Sequence, residues 1–176
     1  IEPLTEQLGL EGQFVRWVKL NELDNYQFPK ANKAIINAIR LPDTYLITPD
    51  CSNVPGLNAA EQFLQQLSIA VKSNSLLQLR IKSLSGEKLS DIIKQSCKIV
   101  RKNNALLLLN SSCENSPSSL SEEDMSWIFD DEINSHVNGI HLTSYHLHEK
   151  YFIEDFRRQF PGKIVAASCH NRNDIE

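Results

Sequence analysis

Ala105-Leu-Leu-Leu-Leu109 is the stretch on which the fold turns. A continuous apolar run of this kind suits a strand buried on both faces, and such strands belong to parallel sheets. Toward the N-terminus, a helix is expected from about Lys88 to Lys102, preceded by a second strand, Leu76-Leu-Gln-Leu-Arg-Ile81. Further back lie a helix from about Asn58 to Lys72 and the short apolar run Thr44-Tyr-Leu-Ile-Thr48, which leads into Pro49-Asp50. Toward the C-terminus come a strand at Gly139-Ile-His-Leu142, a helix around Tyr151 to Gln159, a turn at Pro161-Gly162 and a strand at Lys163-Ile-Val-Ala-Ala167. Strand starts near residues 45, 76, 105, 139 and 164 repeat at about 30 residues, the length of a βα unit. The fold class is therefore α/β. Five such units fit an open doubly wound sheet of the flavodoxin kind, whose edges would be the first and fifth strands. They equally fit the first five-eighths of a (β/α)8 barrel. Spacing alone does not choose.

Residues before Pro42 follow another rhythm. Gln13-Phe-Val-Arg-Trp-Val-Lys-Leu20 is rich in β-branched and aromatic residues and predicts a strand. Asn25 to Pro29 reads as a loop, and Ala31, Ala34, Ile35 and Ala38 recur at helical spacing. Leu41-Pro42 ends that helix, because the residue before proline is pushed out of the α region. One strand and one helix cannot bury each other, so residues 1–41 read as the tail of something larger. Ser111 to Glu132 also breaks the repeat: it holds seven acidic residues, seven serines and no Lys or Arg. It is expected to be a solvated insertion, with Met125-Ser-Trp-Ile-Phe129 pinning a short helix.

Composition bounds what the chain can be. Its 176 residues, 41% of them hydrophobic, suffice for one ordinary domain with a core and not for two. A net charge of −4 argues against sequence-independent binding to nucleic acid, which needs a basic face. No apolar run approaches the roughly 18 to 20 residues that span a bilayer, so no membrane partner is expected. Cys51, Cys97, Cys113 and Cys169 lie far apart with no C-x-x-C pair. Three disulfide connectivities are formally open, and reduced thiols in a cytoplasm are the expectation. The chain starts at Ile1 and continues with acidic and polar residues, so no signal peptide is read.

Each expected strand ends in polar residues: Pro49-Asp50, Lys82, Asn110, Thr143-Ser144 and Ser168-Cys169-His170. In parallel α/β folds these ends gather on the face where ligands bind. Gln78, Arg80 and Lys82 alternate along the second strand and share one of its sides. Unpaired buried charge is costly, so they call for an anionic or polar ligand, or for an internal ion-pair network within a barrel. An Arg can clamp phosphate bidentately, while Lys supplies a point charge.

These residues carry a resemblance. Gln78-Leu-Arg-Ile-Lys82, Leu109-Asn110, Gly139-Ile-His-Leu142 and Ala167-Ser168-Cys-His170 resemble, in order, the strand-end motifs of thiamine phosphate synthase and the related TenI proteins. The resemblance covers about residues 43–176 and implies a (β/α)8 barrel. At about 30 residues per unit a full barrel needs roughly 240, so only a partial TIM barrel is expected here, with a further phosphate-binding loop of the family beyond Glu176. The head resembles another family. Glu11-Gly-Gln-Phe-Val-Arg-Trp-Val18, Glu22-Leu23 and Phe28-Pro-Lys-Ala-Asn32 are similar to the C-terminal end of MutT-type Nudix hydrolases, which cleave oxidised purine nucleotides such as 8-oxo-dGTP. The resemblance implies a strand-helix remnant of a Nudix fold at 1–41 and a role for Asn32 in reading the base. Together the two imply the junction of a bacterial fusion protein, and a Nudix domain as a partner.

What the synthase does would then fall to named residues. Gln78, Arg80, Lys82 and Asn110 would hold a pyrimidine diphosphate, and Ser168 would contact it after ionisation, before a thiazole phosphate captures the cation. Magnesium neutralises the leaving pyrophosphate in that family. Its two Asp ligands fall at Ser111 and His146 here, and neither suits a hard dication. The magnesium-binding Nudix box is absent from the sequence as well, so nucleotide hydrolysis by the family mechanism is not expected. No residue is assigned a catalytic role.

Three other constellations read as ordinary structure. His141, His146 and His148 have a spacing that matches no common zinc site, with no nearby Cys to complete a tetrahedron. Cys169 and His170 adjoin in sequence, and neighbours on a strand point to opposite faces. Trp17 and Trp127 are expected to pack rather than to stack on bases.

Overall fold

A computed structural model describes residues 7–53, 58–84, 86–111 and 131–174. The expected helix at Met125 to Phe129 lies outside them. Contacts divide the chain into two compact units, Ile1–Leu41 and Pro42–Glu176.

The first unit is sparse. β1 (Gln7–Leu8) pairs antiparallel with β2 (Phe14–Val15), a 3-10 turn spans Leu20–Asn25, and a second one at Lys30–Asn32 leads into α1 (Lys33–Ile39). The strand expected over 13–20 is thus cut to two residues, Phe14–Val15, which pair with Gln7 and Leu8 among the described residues. Leu23 is buried, but Phe14, Trp17 and Ile35 are 80%, 76% and 62% exposed. The expectation that Trp17 packs is corrected, because the unit offers it no core.

The second unit holds β3 (Thr44–Ile47), α2 (Ala59–Ala70), β4 (Ser75–Leu79), α3 (Gly86–Lys102), β5 (Leu106–Asn110), α4 (Asp131–His136), β6 (Gly139–Leu142), α5 (Ser144–Leu147), α6 (Lys150–Gln159) and β7 (Ile164–Ala167). All five strands are parallel and adjacent in chain order, β3-β4-β5-β6-β7. The fold is α/β. β3 and β7 are the edges, as an open sheet requires, yet any five-stranded arc has such edges. Order is more informative: a doubly wound sheet reverses its strand order and carries helices on both faces, and no reversal occurs here.

Register places the apolar side chains. Leu46, Leu77 and Leu107 are in line across β3, β4 and β5, as are Leu79, Leu109, Ile140 and Val165 across β4 to β7. These residues pack against Phe63 and Leu67 of α2, Ile92 and Ile93 of α3, Ile133 of α4 and Phe156 of α6. The described helices of this unit that join the two apolar clusters therefore lie on one face of the sheet. Short turns deliver the chain from helix to strand. Asn74, Asn104 and Gly162 take left-handed backbone angles (φ 58°, 52° and 98°) shortly before β4, β5 and β7, a conformation that these residue types tolerate. Gly139 meets a different constraint: a Cβ there would come within 1.9 Å of the Ile164 carbonyl oxygen on the neighbouring strand.

Opposite the helices, Tyr45, Gln78, Leu108, Asn110 and His141 alternate with the helix-facing set. Leu108 and Gln78 are 0% and 2% exposed on this side. The Tyr45 hydroxyl lies 2.7 Å from His141 Nδ1, although Tyr45 is on the first strand of the sheet and His141 on the fourth. Three strand spacings amount to roughly 14 Å on a flat sheet, where upright side chains would not meet. The sheet is curled, with this face concave.

Among the described residues no helix is long and apolar enough to cross a membrane. Cys51 and Cys97 are buried free thiols and Cys169 an exposed one; burial pushes the first two up to about 11, with Asp50 adding to the effect at Cys51.

Candidate functional site

The concave face gathers a polar chain from four strands. Gln78 of β4 donates from Nε2 to the Tyr45 hydroxyl at 3.2 Å, Tyr45 of β3 meets His141 Nδ1 of β6 at 2.7 Å, and His141 Nε2 meets the Ser168 hydroxyl just past β7 at 2.9 Å. Burial pushes the Tyr45 phenol up to about 12, against the lowering effect of Gln78, so it keeps its proton at neutral pH. Burial also lowers the His141 pKa, favouring the neutral ring. A phenol that accepts from Gln78 donates to Nδ1, which leaves the imidazole proton on Nε2 for Ser168. Donors and acceptors along this chain are thereby matched.

Gln78 and Ser168 are two of the five residues expected to bind substrate, and the network joins them. Asn110, 5% exposed at the end of β5, stands in register beside His141. Arg80 and Lys82 sit differently from expectation: β4 ends at Leu79, so both lie in the segment beyond it. Alternation persists there, because Ile81 joins the helix-facing core, leaving Arg80 and Lys82 on the side of Gln78. Arg80 is half-buried and Lys82 exposed. The cost of burying charge therefore does not by itself force a counter-ion on them. The Arg80 guanidinium makes no ion pair or hydrogen bond with any described residue, while its backbone N–H donates to Thr48 Oγ1 at 2.9 Å. Asn32 belongs to the other unit, where it is exposed and its N–H donates to the Pro29 carbonyl at 2.9 Å.

Asp50 ties β3 to β4. Its carboxylate accepts from Ser52 N–H and hydroxyl (3.0 and 2.9 Å), from Ser83 N–H (3.1 Å), and more closely from Lys82 N–H and the Ser83 hydroxyl. Burial would raise its pKa, but the Ser83, Ser52 and Lys82 hydrogen bonds outweigh that and hold it down at about 2. The clamp fixes the segment that carries Arg80 and Lys82.

Ser111 and His146 form a second junction at the strand ends. Ser111 is 3% exposed rather than part of a solvated insertion. Its hydroxyl accepts from Thr143 N–H at 3.0 Å and makes a short hydrogen bond with His146 Nδ1. The three histidines of the sequence cluster thus face three different partners: His141 meets Tyr45 and Ser168, His146 meets Ser111, and His148 Nε2 meets Asp174 at 3.2 Å. Cys169 and His170 each turn to Asp174 instead of to one another. No group of three His, Cys, Asp or Glu able to hold a metal occurs among the described residues.

Tyr45 and His141 are the residues that motif reading undervalued. The signal was present: period-two alternation sets Tyr45 opposite Leu46 and His141 opposite Ile140, on the side already assigned to Gln78. No protein-family model matches the chain, and no curated protein matches its sequence significantly.

Proposed function

We propose that residues 43–176 are part of a (β/α)8 barrel of the thiamine phosphate synthase/TenI type that binds a phosphorylated thiamine precursor on its concave face. Residues 1–41 are then the C-terminal remnant of a MutT-like Nudix domain, and the whole derives from a fusion of the two. Gln78, Arg80, Lys82, Asn110 and Ser168 hold the ligand, a pyrimidine diphosphate or thiazole phosphate.

The observation that carries this reading is the chain Gln78–Tyr45–His141–Ser168, which joins four strands on the face opposite the described helices of the two apolar clusters. Strand order without reversal and a curled sheet support a barrel over a doubly wound sheet. The Arg80 guanidinium at the rim, which has no partner among the described residues, suits a phosphate. Turnover by this chain is not expected, since the Nudix box is absent and a Ser–His pair stands where the synthase needs two carboxylates. Calorimetric titration with thiamine phosphate tests the reading: binding that Gln78→Ala weakens supports it, and absence of binding to the wild-type protein refutes it.

A second reading has one observation in its favour, the exposed Phe14, Trp17 and Ile35 in the first unit. It makes the chain a non-catalytic structural or regulatory module of a MutT-type nucleotide pyrophosphohydrolase. Under it, adding the chain to a separately supplied Nudix domain changes the rate of 8-oxo-dGTP hydrolysis. An unchanged rate removes it.

A further inference from the structure

Ser111 follows β5, and His146 lies in α5, the short helix after β6. Ser111 N–H continues the ladder by donating to the His141 carbonyl at 2.9 Å. Thr143 starts α5, its hydroxyl accepting from His146 N–H at 3.3 Å, while its own N–H points to the Ser111 hydroxyl at 3.0 Å. That hydroxyl accepts one hydrogen bond and shares another with His146 Nδ1. Tyr145 and Phe152 flank the imidazole, with ring centroids 5.4 and 6.5 Å away, and His146 is 4% exposed.

Magnesium asks for near-octahedral oxygen donors, one or two of them carboxylates, at about 2.1 Å. This junction offers a neutral hydroxyl whose hydrogen bonds are already made, and a ring nitrogen engaged with it. Of the other strand-end groups, the Asp50 carboxylate is occupied by five donors from Ser52, Lys82 and Ser83. Binding a dication at Ser111 and His146 would break the hydrogen bond between them and the one from Thr143, and among the described residues no carboxylate is hydrogen-bonded to either of them.

We infer that Ser111 and His146 form a hydrogen-bonded latch between β5 and α5, and that the concave face takes its phosphorylated ligand as a free anion, its charge met by Arg80 and Lys82 without a divalent cation. This rests on the reading of that face as a phosphate site. It makes the ligand class a phosphate ester that carries no bound metal.

Two measurements separate the inference from the reading beneath it. In the first, magnesium chloride is titrated to millimolar concentration into the isotope-labelled full chain, and the amide resonances of Ser111, Thr143 and His146 are followed. They stay in place if the latch holds. Saturable shifts there that Ser111→Ala abolishes overturn the inference. In the second, thiamine phosphate is titrated in magnesium and again in a chelator. Dissociation constants within about twofold of each other support it, and a tightening of tenfold or more by magnesium, about 1.4 kcal/mol, overturns it. Should thiamine phosphate bind under neither condition, the phosphate-site reading falls and the free-anion half of the inference with it, while the magnesium titration alone still decides the latch.

Discussion

The two faces of the five-stranded sheet come from the same strands and do different work. On one, Leu77, Leu79, Leu107, Leu109 and Ile140 meet the helices and contain no polar side chain. On the other, Tyr45, Gln78, Asn110 and His141 alternate with them and join through hydrogen bonds. Single-residue alternation thus separates apolar packing from a polar hydrogen-bond network. Substitutions on the helix face should alter stability without a direct effect on a ligand; those on the concave face should cost less stability and act on a ligand directly.

The largest expected effect lies on the helix face. Leu107 is 0% exposed, so Leu107→Ala should cost about 3 kcal/mol through lost burial and a residual cavity, read as a lower midpoint in urea. A cost under about 1 kcal/mol would mean that the face is not close-packed.

Gly139→Ala should cost about 2 kcal/mol, because its Cβ would drive β7 back from the Ile164 carbonyl. A neutral effect in thermal unfolding would show that β6 and β7 are not in such close contact.

Acid should act mainly through the Asp50 clamp that ties β3 to β4. Its folded-state pKa of about 2 lies below the ordinary 3.8, so its contribution is present above pH 4 and lost as pH falls from 4 to 2. The shift corresponds to about 2 kcal/mol. Wild type should lose that stability over this window while Asp50→Asn, already weakened, loses less; parallel curves would contradict the assignment.

Smallest of the four is Tyr45→Phe, which leaves Gln78 and His141 without their shared partner at a cost of about 1 kcal/mol. Its signature is a changed His141 ring-nitrogen resonance, since Nδ1 loses its donor. An unchanged resonance would dissolve the network.

Much of the second unit was legible in the chain itself. Ala105 to Leu109 and Leu76 to Ile81 announce buried strands, and the 30-residue repeat announces parallel βα units, because burial on both faces leaves an unbroken apolar signal. The order of strands was not legible, since spacing carries no handedness or adjacency. Alternation was visible at Gln78 and Arg80, but the loss of burial beyond Leu79 was not: where a ladder stops depends on the neighbouring strand. Ser111 read as the start of a polar insertion because hydroxyls look alike in sequence. Only the position of His146, thirty-five residues on, makes it a buried partner. Residues 13–20 had strand propensity, yet only Phe14 and Val15 form a strand, and propensity yields to context.

The central claim is that the concave face binds a phosphorylated ligand through Arg80. Titration calorimetry of thiamine phosphate into wild type and Arg80→Ala, with thermal unfolding of both, tests it most directly. The account predicts binding to wild type and at least tenfold weaker binding to Arg80→Ala, about 1.4 kcal/mol, at an unchanged unfolding temperature. Equal affinity in the two proteins, or no binding to either, would contradict it.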